Sequence, residues 1–236
     1  MTGPDPSAVK ATFCNVASRY DLANHLLSCG IDFLWRRKLV SLAGQETCGR
    51  VLDLATGSGD VAFALREGLS GSPEIVGLDF CPPMLDQARE KRERMGLAKE
   101  SNEFIEGDCL ELALEDESFD LVTIAFGLRN LSDRAKGLRE MRRVLKPGGR
   151  LIVLEFSQPY LWFRPFYYLY LRGILPWMAR LITGDRKAYL YLGTSISNFP
   201  NRKELSAELV ESGFSSPHVH PMTFSVVALH EARKET

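Results

Sequence analysis

VLDLATGSGDVA, residues 51–62, passes from a run of apolar residues into a glycine turn. Gly57, Gly59 and Ala62 keep the G-x-G-x-x-G/A spacing of a turn whose backbone can approach a nucleotide closely. RVLDLA before the turn reads as a strand and DVAFALREGL after it as a helix. Working outward, the alternation continues to residue 156. EIVGLDF, NEFIEGD, FDLVTIAF and GRLIVLEFS read as strands. CPPMLDQAREKRERMGL is a charged helix, and SDRAKGLREMRRVLK is a helix closed by Pro147-Gly148-Gly149. Strands separated by helices imply right-handed crossovers and a parallel sheet covered on both faces. The near-continuous apolar run LIVLEF suits a strand buried on both sides.

The flanks complete one α/β domain over residues 1–236. Residues 1–49 carry apolar positions at helical intervals and predict a helical cap over the 50–156 core. Residues 157–203 predict a helical insertion. In 204–236, RKELSAELVESGF predicts a helix, followed by two strand-like runs around Pro221 that suit an antiparallel pair. The expected fold is therefore a Rossmann-like sheet, mostly parallel with an antiparallel C-terminal strand, and helices on both faces.

Composition excludes several classes of partner. Of 236 residues, 45% are hydrophobic and 25% charged, enough for one large core. A net charge of −1 gives no field for nucleic acid. The five cysteines are scattered without a C-x-x-C pair, which reads as reduced thiols in a cytoplasmic protein. MTGPDPSAVK lacks the apolar stretch of a signal peptide. The aromatic segment Tyr160–Ile182 is interrupted by Arg164, Arg172, Arg180, Pro165 and Pro176. Each mid-bilayer arginine would cost about 2.5–3.5 kcal/mol, so the segment does not span. It suits a core-packing insertion, a peripheral membrane contact or a cover for an apolar substrate. A homodimer is left open.

Ligands of open α/β sheets sit beyond the carboxyl ends of the strands, where strand order reverses. Asp79, ending the second strand, is placed to accept hydrogen bonds from two ribose hydroxyls, as in a nicotinamide site or an adenosyl-sulfonium site alike. Asp53 separates the two. A carboxylate beside the turn repels a pyrophosphate and favours the ammonium and sulfonium of S-adenosyl-L-methionine. A purely structural role, with the backbone N–H groups of the turn satisfying Asp53, stands beside direct ligand contact. Asp108, after the third strand, places a carboxylate where an adenine amino group can donate, with the Cys109 backbone adjacent.

Two longer stretches, Phe13–Arg37 and Phe119–Pro159 with its FGLRN and KPGGRLIVLEFS, resemble the quinone-biosynthesis C-methyltransferases. YLYLGTSISNFP (Tyr189–Pro200) and SVVALH (Ser225–His230) extend the resemblance nearly to both ends. It implies a class I methyltransferase fold and methylation of the ring carbon of demethylmenaquinol or of a 2-polyprenyl-6-methoxy-1,4-benzoquinol. It also implies cofactor contacts at Ser58, Asp79, Asp108, Cys109 and Ala125. The family more often has Gly-Gly-Thr-Gly-Asp at the turn, where this chain has Thr56-Gly57-Ser58-Gly59-Asp60. A serine frequent before FGLRN is Ala125 here.

For the chemistry, Arg129 is the residue assigned to a developing phenolate, with an ion pair to Asp133 as its structural alternative. Asn130 is assigned to the second ring oxygen. Proton removal is left among water, Tyr20 and His25, and Tyr189 and Tyr191 are candidate walls for the ring. Tyr20 and Asp21 lie in a segment expected to close over the cofactor, with Asp21 as a helix cap in the structural alternative. His218 and His220 alternate on a strand without a third ligand, so no metal is expected. The rival functions are a class I methyltransferase for another small acceptor, a nicotinamide oxidoreductase and a non-catalytic scaffold.

Overall fold

In the computed structural model the described residues are 28, 30–174 and 186–235. Tyr20, Asp21 and His25 lie outside them, and so do the side chains of Tyr189 and Tyr191.

The elements follow the predicted alternation. Helix α1 (Asp32–Ala43) precedes β1 (Arg50–Leu54), α2 (Asp60–Gly68), β2 (Glu74–Asp79), α3 (Pro82–Arg94) and β3 (Asn102–Glu106). Then come β4 (Phe119–Ala125), a 3-10 turn (Leu128–Asn130), α4 (Arg134–Val144) and β5 (Leu145–Phe156). Helices α5 (Arg164–Leu169) and α6 (Arg186–Asn198) form the insertion, with a π turn (Tyr170–Ile174) after α5. Helix α7 (Arg202–Glu211) leads into β6 (His218–Met222) and β7 (Val227–Arg233).

One seven-stranded sheet runs β3-β2-β1-β4-β5-β7-β6. The first five strands in that order pair in parallel, while β7 pairs antiparallel with both β5 and β6. Strand order reverses between β1 and β4, so their carboxyl ends open a crevice. Alternate strand residues feed opposite layers. Val51, Ile75, Leu121 and Ile152 pack with α1, α2 and α3. Leu52, Val76, Val122 and Leu151 pack with α4 and α7. Burial on both faces is why these strands are apolar throughout.

Two boundaries differ from the sequence expectation. Helix α4 ends at Val144, and Pro147-Gly148-Gly149 already lies in β5, where the β4–β5 pairing shifts register between Phe119 and Leu121. A bulge of this kind absorbs the proline and glycines that would otherwise close a helix. Pro221 lies inside β6, and the chain turns at Thr223–Ser225 instead. As an edge strand β6 tolerates a missing N–H donor. His218 and His220 share this edge, far from the β1–β4 crevice. Cys48 and Cys109 are free thiols, whereas Cys81 is disulfide-bonded, which departs from the reading of reduced cysteines.

Helix α1 is held to the sheet by Arg150, a fully buried side chain of β5. Its Nη1 donates to Leu42 O at 3.0 Å and its Nη2 to Ala43 O at 2.6 Å. These are carbonyls of the last helical turn, which have no partner within the helix. Glu231 of β7 balances the charge at 3.2 Å. The clasp fixes the C-terminal end of α1 and directs its other face toward the crevice.

Candidate active site

Gly57 and Gly59 adopt φ of +56° and +85°, and Gly59 is the N-cap of α2. A Cβ at Gly59 would stand 2.8 Å from Phe63 and 3.0 Å from Phe104, so this glycine is required for space as well as conformation. On the facing loop, Ala55 after β1 and Phe126 after β4 also take positive φ, +51° and +55°. Such conformations persist in non-glycine residues only where the surroundings enforce them, and they cluster at ligand sites. Here the two loops pack back to back: a Cβ at Gly127 would lie 2.5 Å from Ala55 Cβ.

The crevice holds a cavity lined by Asp53, Gly57, Ser58, Asp79, Ala125 and Asn130, together with Arg36, Asp60, Met84 and Phe126. Asp79 organises its floor. Its Oδ2 accepts from Gly57 N at 2.8 Å and its Oδ1 from Cys81 N at 2.9 Å. The carboxylate thus fixes the glycine turn and the start of α3 together.

Asp53 is buried and accepts from two hydroxyls, Thr56 Oγ1 at 2.6 Å and Thr123 Oγ1 at 2.7 Å. These are side chains, not the backbone N–H groups expected from sequence. Burial pushes its pKa from 3.8 to about 6, against those two hydrogen bonds and with Asp79 and Asp60 adding to the rise. For a carboxyl with a raised folded-state pKa, the favourable contribution to stability is full below pH 4 and is lost as pH rises through 6. A cation bound beside it reverses the preference. Affinity for S-adenosylmethionine is therefore expected to fall up to about tenfold per pH unit below 6. S-adenosylhomocysteine, lacking the sulfonium charge, is expected to lose less, and Asp53→Asn to flatten the difference. Calorimetric titrations of both compounds from pH 5 to 8 check this.

The remaining sequence assignments separate. Asp108 is exposed and accepts from Leu110 N at 2.8 Å, outside the cavity lining. Cys109 is buried beside it, its thiol pushed up to about 12 by desolvation and the nearby Asp79 carboxylate. Asn130 borders the first cavity, its Nδ2 donating to Phe126 O at 3.3 Å, and does not line the second cavity described next.

That second cavity, of about 400 Å³, adjoins the first and shares Arg36 and Phe126 with it. Its walls are Trp35, Phe156, Phe163, Tyr167, Tyr170 and Leu171, with Arg129 among them. Trp35, Phe126 and Phe156 form a ring cluster with centroids 5.0–6.4 Å apart. Burial raises the pKa of the Tyr167 phenol, so it stays protonated.

Arg129 is buried against Glu155 of β5, Nη1 to Oε1 2.8 Å, and its Nη1 also donates to Phe126 O. The partner expected from sequence, Asp133, instead caps α4 by accepting from Lys136 N at 2.9 Å. Glu155 also accepts from the backbone of Arg129 and of Phe156, at 3.2 and 2.8 Å. The guanidinium lies over the Phe156 ring, 5.2 Å from its centroid. Because Glu155 balances its charge, Arg129 offers the cavity N–H donors rather than a net positive charge.

The donor set of the first cavity fits S-adenosylmethionine. Its lining combines the carboxylates Asp53, Asp60 and Asp79 with the guanidinium of Arg36, which pairs with Asp60 at 2.6 Å, and so offers partners for a molecule with two positive centres and one negative. Sequence reasoning gave no role to Arg36, which sits on a helix without a local motif, or to Phe126, although it opens FGLRN; the aromatic insertion suggested an apolar cover without showing the second cavity.

Comparison with known proteins agrees with this geometry. The model of the ubiE/COQ5 methyltransferase family matches residues 1–234. A demethylmenaquinone methyltransferase of Thermus thermophilus is 48% identical over 92% of this chain and 97% of its own. A ubiquinone/menaquinone biosynthesis C-methyltransferase of Pseudomonas savastanoi is 41% identical over 96% and 88%. Among solved structures, an S-adenosylmethionine-dependent methyltransferase of Aquifex aeolicus aligns with a TM-score of 0.63 at 20% identity, covering 84% of this chain and 89% of that one. The [4+2]-cyclase SpnF aligns at 0.70 with 18% identity, covering 100% and 98%. The last two establish the fold alone, while the family match and the curated relatives reach further: the chain belongs to the ubiE/COQ5 methyltransferase family.

Proposed function

We propose that the chain transfers the methyl group of S-adenosylmethionine to a ring carbon of a polyprenylated quinol, with demethylmenaquinol as the preferred acceptor. The observation that carries this reading is the apolar, aromatic cavity of about 400 Å³ that shares Phe126 and Arg36 with the acidic cofactor cavity. Relatives at 48% and 44% identity are named demethylmenaquinone methyltransferases, which favours the naphthoquinol over the benzoquinol.

The sulfonium supplies an already activated methyl group, so the chain's own residues have alignment and proton handling left to do. Holding donor and acceptor in contact geometry contributes up to roughly 7–11 kcal/mol. The ring carbon gains a methyl group and loses its hydrogen, so one proton leaves per turnover. Ionising a quinol hydroxyl of pKa about 10 costs about 4 kcal/mol at pH 7. Arg129 meets part of that cost with N–H donors for the phenolate oxygen, in a cavity whose walls include Trp35, Phe156 and Tyr167. Tyr20, water and His25 remain the candidates for taking the proton.

The tail of such an acceptor is insoluble. Leu161, Trp162, Phe166, Leu169 and Phe224 are exposed beside the cavity mouth, where Phe163 and Phe166 also line it. No helix among the described residues is long and apolar enough to cross a membrane. We therefore place a peripheral bilayer contact on this aromatic rim, from which the head group enters the cavity.

Labelled methyl incorporation, measured in parallel for demethylmenaquinol and 2-polyprenyl-6-methoxy-1,4-benzoquinol in lipid vesicles, tests the reading. Label is expected in demethylmenaquinol, with the chain floating alongside the vesicles. Label only in a soluble phenol, without flotation, would overturn it.

A further inference from the structure

We infer that Arg36 receives the carboxylate of the cofactor's methionyl group. The inference rests on the cavity of the β1–β4 crevice being the S-adenosylmethionine site, and it assigns a binding residue outside the sheet's own loops.

The charge inventory leads to it. The described residues lining the cofactor cavity include three carboxylates, Asp53, Asp60 and Asp79, and a single cationic side chain, Arg36. The sulfonium and ammonium of the ligand have acidic partners to choose from. Its carboxylate has one cationic side chain among those residues. Left in an acidic crevice without a cation, it would face repulsion from every side.

Geometry agrees. Arg36 stands on α1 and borders both cavities. Its Nη1 donates to Asp60 at 2.6 Å and its Nη2 to Asp32 at 2.5 Å. A guanidinium carries five N–H groups in a planar fork, so these two contacts leave donors for a third carboxylate. Asp60 is held from its other side by Lys91 at 2.9 Å. Lys91, Asp60, Arg36 and Asp32 thus form a chain of alternating charge from α3 through the start of α2 to α1. Its net charge is zero, so an arriving carboxylate meets a guanidinium that two acids hold in place but do not outnumber once Lys91 is counted.

The consequence reaches the acceptor. Trp35, the residue before Arg36, donates its Nε1–H to Thr223 Oγ1 at 2.8 Å and walls the second cavity. Asp32 and Ile31, on the preceding turn, wall it too. The Arg150 clasp holds the opposite end of α1. A ligand held by Arg36 therefore rests against the same helix turn that walls the second cavity.

Removing the carboxylate from the ligand and the guanidinium from the protein, separately and together, tests the assignment. The probes are S-adenosylmethionine, its decarboxylated analogue and 5′-methylthioadenosine, titrated calorimetrically against the full chain, Arg36→Ala and Arg36→Gln. The wild-type chain is expected to bind S-adenosylmethionine about 10- to 100-fold more tightly than the decarboxylated analogue, the range for a charge-assisted contact. In both variants the two compounds are expected to bind within about threefold of each other. Methylthioadenosine, which has no amino-acid part, is expected to bind all three proteins alike, and this also verifies that the variants fold; the glutamine variant keeps most of the stem should alanine unfold α1. Discrimination that persists in a folded variant overturns the inference alone, because the carboxylate is then held elsewhere. A wild-type chain that ignores methylthioadenosine overturns the cofactor assignment and the inference together.

Discussion

Replacing Asp79 with asparagine is expected to weaken binding of S-adenosylhomocysteine by about 10²- to 10⁴-fold, the loss of two charge-assisted hydrogen bonds. On the proposed reading the ribose hydroxyls lose their acceptor, and the protein loses more than that. In the free chain one oxygen of Asp79 accepts from Gly57 N and the other from Cys81 N. An asparagine cannot accept from both, because its NH₂ then faces one of the two N–H donors. One donor is left without a partner, and either the glycine turn or the start of α3 shifts. Isothermal titration measures the affinity, and the thermal midpoint separates local from global damage. An affinity within threefold of wild type would remove Asp79 from the binding surface.

The second large effect concerns stability. Glu155→Ala is expected to destabilise the chain by about 3–5 kcal/mol, because the buried Arg129 charge loses its counterion. Both side chains are almost fully excluded from solvent, 3% and 1% exposed, so water offers no relief. The backbone N–H groups of Arg129 and Phe156 lose their acceptor as well. For a chain of this size the thermal midpoint should fall by roughly 10 °C or more. Glu155→Gln keeps an acceptor oxygen and the side-chain shape, so a smaller loss is expected from it. It leaves the Arg129 charge unbalanced, which should lower the apparent pKa of a bound quinol in a pH–rate profile. A midpoint for Glu155→Ala within 2 °C of wild type would show that the ion pair is dispensable.

Much of the lining of the first cavity was legible in the sequence because it is local. Gly57, Ser58 and Gly59 follow a strand directly, Asp79 ends the next strand, and Ala125 ends the strand across the switch point. Each position is fixed by its own element and by strand order, so spacing suffices. Asp108 and Cys109 obey the same logic, yet they follow β3, one strand further out, and neither lines the cavity. The partners of Asp53 were misread since Thr123 lies 70 residues away and reaches it only through the β1–β4 pairing.

The acceptor side was illegible for the opposite reason. Arg36 occupies an ordinary helical position, and what brings it to the crevice is Arg150, more than 100 residues later, clasping the end of α1. The aromatic insertion announced an apolar function without showing that Phe163, Tyr167 and Tyr170 turn inward while Trp162 and Phe166 stay exposed. Arg129 was found for its place in FGLRN, but its counterion sits on β5, 26 residues further along.

Phe126 forms a partition between the two hollows, strained in its backbone and shared by both. A single molecule carrying an adenosyl group at one end and a flat bicyclic ring at the other needs a linker no longer than one side chain is wide. Such a bisubstrate compound would draw on both chambers at once, and truncating the partition would open room for bulkier joints.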